Sequence, residues 1–150
     1  MGVVAIDTSS QIKVHPDVWI VAIRNTRDRY TGVYINRDFQ AQFEKRTDWV
    51  EKLYAILFYK TANTLLKYDD SIVIDYDFQG SRADHIKGYM KSLFNFFNQG
   101  TDTHDPDIKF LPAQVSKEVR EAHFIAKRAR HKKISVQKNP PIKREFEYLE

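Results

Sequence analysis

Two short aliphatic runs, each ending in an aspartate, constrain the fold of this 150-residue chain more than any other feature. They are residues 3–7 (VVAID) and residues 71–75 (SIVID). Such runs are typical of strands buried on both faces of a sheet. Because a lone buried carboxylate is costly, each aspartate must lie at the wet end of its strand or have a partner. If the two strands are neighbours, both carboxylates could reach one divalent cation; alternatively, each aspartate starts a turn or caps a helix.

The composition indicates one folded domain. Hydrophobic residues make up 42% of the chain and aromatic residues 13%, with only five Gly and five Pro, which is typical of a globular protein rather than a disordered one. The absence of cysteine excludes a disulfide framework, a thiolate zinc site and a cysteine nucleophile. No apolar run approaches the roughly 20 residues of a membrane span, and the N-terminus leads directly into a strand. We therefore expect a cytoplasmic protein with no membrane partner.

The order of periodic segments predicts an α/β fold with a mixed five-stranded sheet and helices on both faces. Three strands open the chain, at residues 3–8, 17–24 and 29–36. Three amphipathic helices, beginning near residues 48, 81 and 116, then alternate with strands at residues 71–75 and 107–111. The order βββαβαβα predicts an antiparallel meander joined to parallel strands by right-handed crossovers. We expect one domain over residues 1–133 and an extended, basic, proline-containing tail over residues 134–150, docked as an edge strand or mobile.

Positive charge concentrates near the C-terminus. From Ser116 onward the chain has ten basic and five acidic residues, although its net charge is only +4. The densest stretch contains no acid and includes Lys127, Arg128, Arg130, Lys132 and Lys133. It predicts a phosphate-binding surface for DNA or RNA, or else a solvated helix end whose cations meet the helix dipole. Three aromatic residues of the opening strands could stack on bases or pack against the sheet: Trp19, Tyr30 and Tyr34.

Three segments resemble the ribonuclease H-like superfamily, which includes RuvC-type resolvases and type 2 ribonucleases H. Residues 3–9 (VVAIDTS) resemble its first strand, residues 72–75 (IVID) its fourth strand and residues 121–126 (EAHFIA) its final helix. The resemblance implies a ribonuclease H-like fold and a nuclease that hydrolyses phosphodiester bonds by a two-metal mechanism with Mg²⁺ or Mn²⁺. Two departures are the absence of an Asp-Glu-x-Gly sequence and a histidine, His123, where the last helix usually has an acid. They leave open a non-catalytic nucleic-acid-binding or assembly protein with the same fold.

The last predicted helix contributes two more candidate site residues. At about 100° per residue, Glu118 falls within the apolar stripe of this helix and His123 at its edge. Glu118 could be a metal ligand or simply a first-turn acid favoured by the helix dipole. His123 could bind a metal, transfer a proton, or pack at the helix–sheet edge. The predicted catalytic and metal-ligating residues are therefore Asp7, Asp75, Glu118 and His123. The sequence leaves the substrate open, and either a monomer or a homodimer is compatible with it.

Overall fold

The computed structural model describes residues 2–75 and 81–150, without the side chains of residues 26–28, and its centre is a mixed sheet. The six strands are β1 (Val3–Ser9), β2 (Val18–Arg24), β3 (Thr26–Ile35), β4 (Ser71–Asp75), β5 (Asp107–Leu111) and β6 (Gln137–Lys138). They lie in the order β5-β4-β1-β2-β3-β6. β1, β2 and β3 form an antiparallel meander. β4 runs parallel to β1, and β5 runs parallel to β4. The aliphatic runs that end in Asp7 and Asp75 are therefore neighbouring central strands.

Helices cover both faces of this sheet. They are α1 (Arg37–Ala41), α2 (Trp49–Leu65), α3 (Arg82–Phe97), α4 (Lys117–Arg130) and α5 (Lys143–Leu149). Because side chains alternate along a strand, Val4 and Ile6 enter a large core with α2 and α3, whereas Ala5 packs on the other face with α4. The small side chains of Ala122 and Ala126 let α4 lie close to the strands. None of the helices among the described residues has both the length and the apolar character needed to cross a bilayer.

The α/β class is confirmed, but the strand count and the order of elements differ from the prediction. α1 is only five residues long, too short for a helical repeat to stand out. The residue type that marks its start is the N-cap residue Asn36. Its side chain accepts a hydrogen bond from the backbone N–H of Phe39 and so caps the helix. The sixth strand, β6, has two residues and pairs with the edge strand β3.

The C-terminal segment is not extended throughout, contrary to the prediction for residues 134–150. β6 docks at the sheet edge, as one of the two predicted alternatives had it, and α5 then packs against α2. Phe146 of α5 is only 1% exposed and belongs to the large core. The sequence signal is weak because α5 has only seven residues, and Pro140 and Pro141 mark a helix boundary without showing that a new helix follows.

α4 also ends earlier than predicted. The helix stops at Arg130, with His131 as its C-cap residue, and Lys132 adopts a left-handed conformation with φ of 59°. The backbone N–H of Lys133 donates to the carbonyl oxygen of Arg128 and closes the helix end. Two of the five basic residues predicted to bind nucleic acid, Lys132 and Lys133, therefore lie beyond the helix.

Candidate functional site

The register of the two central strands determines where the candidate carboxylates lie. Ile6 of β1 is paired with Ile74 of β4, and the next residue in each strand is an aspartate. Ala5, which faces α4, is paired with Val73, so Asp7 and Asp75 lie on the α4 face two residues further along. Neighbouring strands are about 4.8 Å apart. The fold thus brings the two aspartates to the same level of the same face.

A buried ion pair at the opposite end of these strands supports this register. Asp70, just before β4, accepts hydrogen bonds from Nε and Nη2 of Arg24 at 2.7 and 3.0 Å. It also accepts from the backbone N–H groups of Gly2 and Lys67 at 2.9 and 2.8 Å. Burial by itself would raise the pKa of Asp70, but the hydrogen bonds and the charge of Arg24 outweigh burial and lower it below its ordinary value. Through Gly2, Arg24 and Asp70, this cluster joins the ends of β1, β2 and β4.

Asp7 is buried and has an imidazole as a direct partner. Only 1% of Asp7 is exposed, and its Oδ2 atom is 3.1 Å from Nδ1 of His123 on α4. An ionised carboxylate can only accept hydrogen bonds, so with Asp7 ionised Nδ1–H is the donor and the neutral ring has its lone pair on Nε2. The side chain of His123 is 66% exposed. The pair therefore connects a buried carboxyl group to a largely exposed imidazole ring, and this link could not be predicted from the sequence.

The other two predicted site residues, Asp75 and Glu118, are not part of the hydrogen-bonded pair of Asp7 and His123. Asp75 is half-buried at the end of β4, where it is paired with Leu111 of β5. Glu118 lies in the first turn of α4, with Oε2 3.5 Å from Oγ of the N-cap residue Ser116. This local contact agrees with the alternative role of a first-turn acid. Among the side chains that the structure describes, no group of three or more His, Asp or Glu could hold a metal ion.

The predicted basic residues are exposed, and they divide between two surfaces. On one side of α4, Lys127, Arg128 and Lys133 line a shallow depression of about 440 Å³ together with Phe124 and His131. The guanidinium carbon of Arg128 lies 5.9 Å from the ring centre of Phe124, a cation–π distance. The depression thus combines cationic side chains with an exposed aromatic residue.

Arg130 and Lys132 instead line a second groove of about 580 Å³, together with Trp19 and Tyr34. We define this surface as the aromatic groove. Both rings are candidates from the sequence, but their contact with each other and with these cations arises only in the fold. The hydroxyl of Tyr34 donates to Oδ1 of Asp17 at 2.5 Å, and this bond, with burial and the charge of Asp17, raises the pKa of Tyr34 to about 12. The spacing of Trp19 and Tyr34 in a hairpin was the only signal of their pairing.

No model of a known protein family matches this chain, and no curated protein matches it.

Proposed function

We propose that this protein is a divalent-metal-dependent nuclease that hydrolyses phosphodiester bonds of DNA or RNA. The proposal is carried by one observation, the position of Asp7 and Asp75 one residue beyond the Ile6–Ile74 pair of two adjacent parallel strands. Two oxygen-donor groups so placed suit Mg²⁺ or Mn²⁺. The ribonuclease H-like resemblance implies the same two residues, and an antiparallel meander followed by parallel strands is compatible with it.

The carboxylate oxygens are of the type that a hard cation prefers, but only two residues are placed to supply them. Asp7 and Asp75 are the residues to which we assign the ion. Glu118 has its contact at the helix N-terminus, and the described part of the chain lacks a group of three acidic or imidazole side chains suited to a metal. We therefore assign Glu118 no metal-ligating role. When bound, Mg²⁺ or Mn²⁺ would supply stabilisation of negative charge on the phosphoryl oxygens.

His123 is assigned the handling of a proton. Its Nδ1 is bound to Asp7, which orients the ring and leaves Nε2 to accept a proton from an attacking water. The carboxyl group of Asp7 that it contacts belongs to an almost fully buried residue. Most of the His123 side chain is exposed, so water can reach the ring while Nδ1 keeps its contact with Asp7.

The experiment is a cleavage assay with Mg²⁺ or Mn²⁺ on DNA, RNA, hybrid and branched substrates. Asp7→Asn and Asp75→Asn keep side-chain size and are expected to abolish cleavage. His123→Gln is expected to slow cleavage and to change its pH profile. Asp102→Asn, in an exposed loop, is the matched control. Cleavage at the wild-type rate by a folded Asp7→Asn protein would refute the assignment.

A second candidate function is nucleic-acid binding without hydrolysis. It is favoured by the contact between Asp7 and His123, which completes a pair without a metal, and by the exposed cations of α4. If it is correct, no cation produces cleavage, but the triple substitution of Lys127, Arg128 and Lys133 by Gln weakens binding and flattens its dependence on salt. Unchanged binding by this variant would count against the role of that surface.

An assembly role, including a homodimer, is tested by the mass of the protein in solution.

A further inference from the structure

The aromatic groove lies on the same face of the sheet as Asp7. Trp19 of β2 is paired with Ser9 of β1, and Val21 is paired with Asp7. Trp19 is thus one strand across and two residues along from Asp7, a distance between α-carbons of about 8 Å from ordinary strand dimensions. The aromatic groove and the candidate site are therefore close neighbours on the face of the sheet that α4 covers.

Two aromatic rings form one wall of the groove. Trp19 and Tyr34 are directly paired across β2 and β3, and their ring centres are 5.1 Å apart with planes tilted by 31°. Both side chains are half-buried. The hydrogen bond to Asp17 holds the Tyr34 ring in place, so the pair loses little side-chain freedom when a flat group stacks on it.

The opposite wall is held close by a glycine. A Cβ atom on Gly32 would lie only 2.7 Å from Cγ1 of Val136, so the chain after α4 can cross β3 here because this position has no side chain. The following residues then pair with β3, with Lys138 in register with Tyr34. The backbone N–H of Asn139 donates to the carbonyl oxygen of Tyr34 at 2.7 Å. These contacts build the groove into the fold.

Charge defines what this groove can bind. Three cations line it, Arg130, Lys132 and Lys138, against one acid, Asp17, and that acid already accepts a hydrogen bond from Tyr34. Cations beside aromatic rings suit a ligand that carries a flat group next to anionic groups, which is the chemistry of a base and its flanking phosphates. In a duplex the base faces are stacked on one another, so only an unstacked base can reach these rings.

We propose that the aromatic groove binds a base and adjoining phosphates of single-stranded nucleic acid, and that a single strand is the substrate class of this protein. The inference deepens the proposed function, on which its substrate part rests. Trp19 and Tyr34 stack on the base, and the three cations contact the phosphates.

The test measures binding to the Asp7→Asn protein, so that cleavage does not intervene. A further Trp49→Phe substitution leaves Trp19 as the only tryptophan. An oligothymidylate is expected to quench its fluorescence to saturation, and the same length of duplex DNA to bind at least tenfold more weakly. Trp19→Leu, measured by anisotropy of a labelled strand, is expected to weaken binding about tenfold, within the range for one stacked base. Trp19→Phe should recover most of that loss.

Two further variants keep the test independent of folding. Arg130→Gln and Lys138→Gln change exposed side chains, and each is expected to lower the salt slope by about 0.7 per lost phosphate contact. Tyr30→Leu changes an aromatic residue of the same face that does not line the groove, and it should bind normally.

The groove and the nuclease can fail separately. Tight single-strand binding that needs Trp19, in a wild-type protein that cuts nothing with either cation, would retain the groove and overturn the nuclease. Cleavage and binding of single strands unchanged by Trp19→Leu and by Arg130→Gln would overturn the groove and retain the nuclease. Absence of binding, or preference for duplex, also overturns the groove.

Discussion

Replacing Asp70 with asparagine is expected to lower the free energy of unfolding by about 3–5 kcal/mol, the usual loss when one partner of a buried ion pair is removed. The Asp70 side chain is fully buried and the Arg24 side chain is 15% exposed, so water cannot replace the lost charge. Four N–H donors point at the two carboxylate oxygens. Each oxygen accepts from two of these donors, so an asparagine NH₂ group in place of either oxygen must face two donors and leave them unpaired.

This loss is large for a domain of 150 residues, where unfolding typically requires about 5–15 kcal/mol. At about 2–4 °C per kcal/mol, the midpoint of thermal unfolding should fall by roughly 6–20 °C. Urea denaturation followed by circular dichroism measures the free energy directly. Asp69→Asn is the matched control, because Asp69 is exposed and its φ of 65° is one that asparagine also tolerates. Its effect should stay within about 0.5 kcal/mol.

The pH dependence follows from the lowered pKa of Asp70. A carboxyl group whose pKa is lower in the folded state contributes stability above its unfolded pKa, near 4, and loses that contribution as the pH falls through the folded value. The difference between wild type and Asp70→Asn should therefore be complete at pH 7 and pH 5, and should shrink at pH 3 and below. A difference under about 1 kcal/mol at pH 7, or one that stays constant down to pH 3, would refute this reasoning.

Three other substitutions test the fold around the site by the same denaturation assay. Phe146→Ala should cost about 3–5 kcal/mol because its ring is buried in the large core; a loss below 1 kcal/mol would mean that α5 is not part of that core. Ser116→Ala should cost about 0.5–2 kcal/mol, since Oγ accepts from the N–H of Val119 at the start of α4, and Ser116→Thr should lose less. Gly32→Ala should cost about 1–3 kcal/mol because Val136 must move. In the Trp49→Phe background the fluorescence of Trp19 should change with it; an unaltered spectrum and stability would contradict the close contact.

The residues of the candidate site could be predicted from the sequence, but the contacts between them could not. Asp7 and Asp75 were identifiable because a carboxylate at the end of an aliphatic strand needs a partner or water. His123 was identifiable as an unusual residue at the edge of a helical stripe. Its hydrogen bond to Asp7 joins residues 116 positions apart, and no local pattern carries that information. The five basic residues were correctly expected near the end of α4, but their division between two surfaces depends on the end of the helix at Arg130.

By itself, the sequence determined the local features of this protein. The aliphatic runs predicted β4 and β5 with their observed bounds, and helical spacing predicted the start of α4 at Ser116. These elements are readable because a buried face of a strand or helix requires apolar residues at the period of that element. It also determined the absence of thiol chemistry and the excess of positive charge in residues 116–150.

Only the tertiary structure decided which distant groups meet. The short elements α1, β6 and α5 contain too few residues to show a period, and they are stabilised by caps, edge pairing and the burial of Phe146. The register between β1 and β4 places Asp7 and Asp75 at the same level of the sheet. The close crossing at Gly32 forms one wall of the aromatic groove. Register depends on packing across the whole sheet, so it becomes fixed only when the chain has folded.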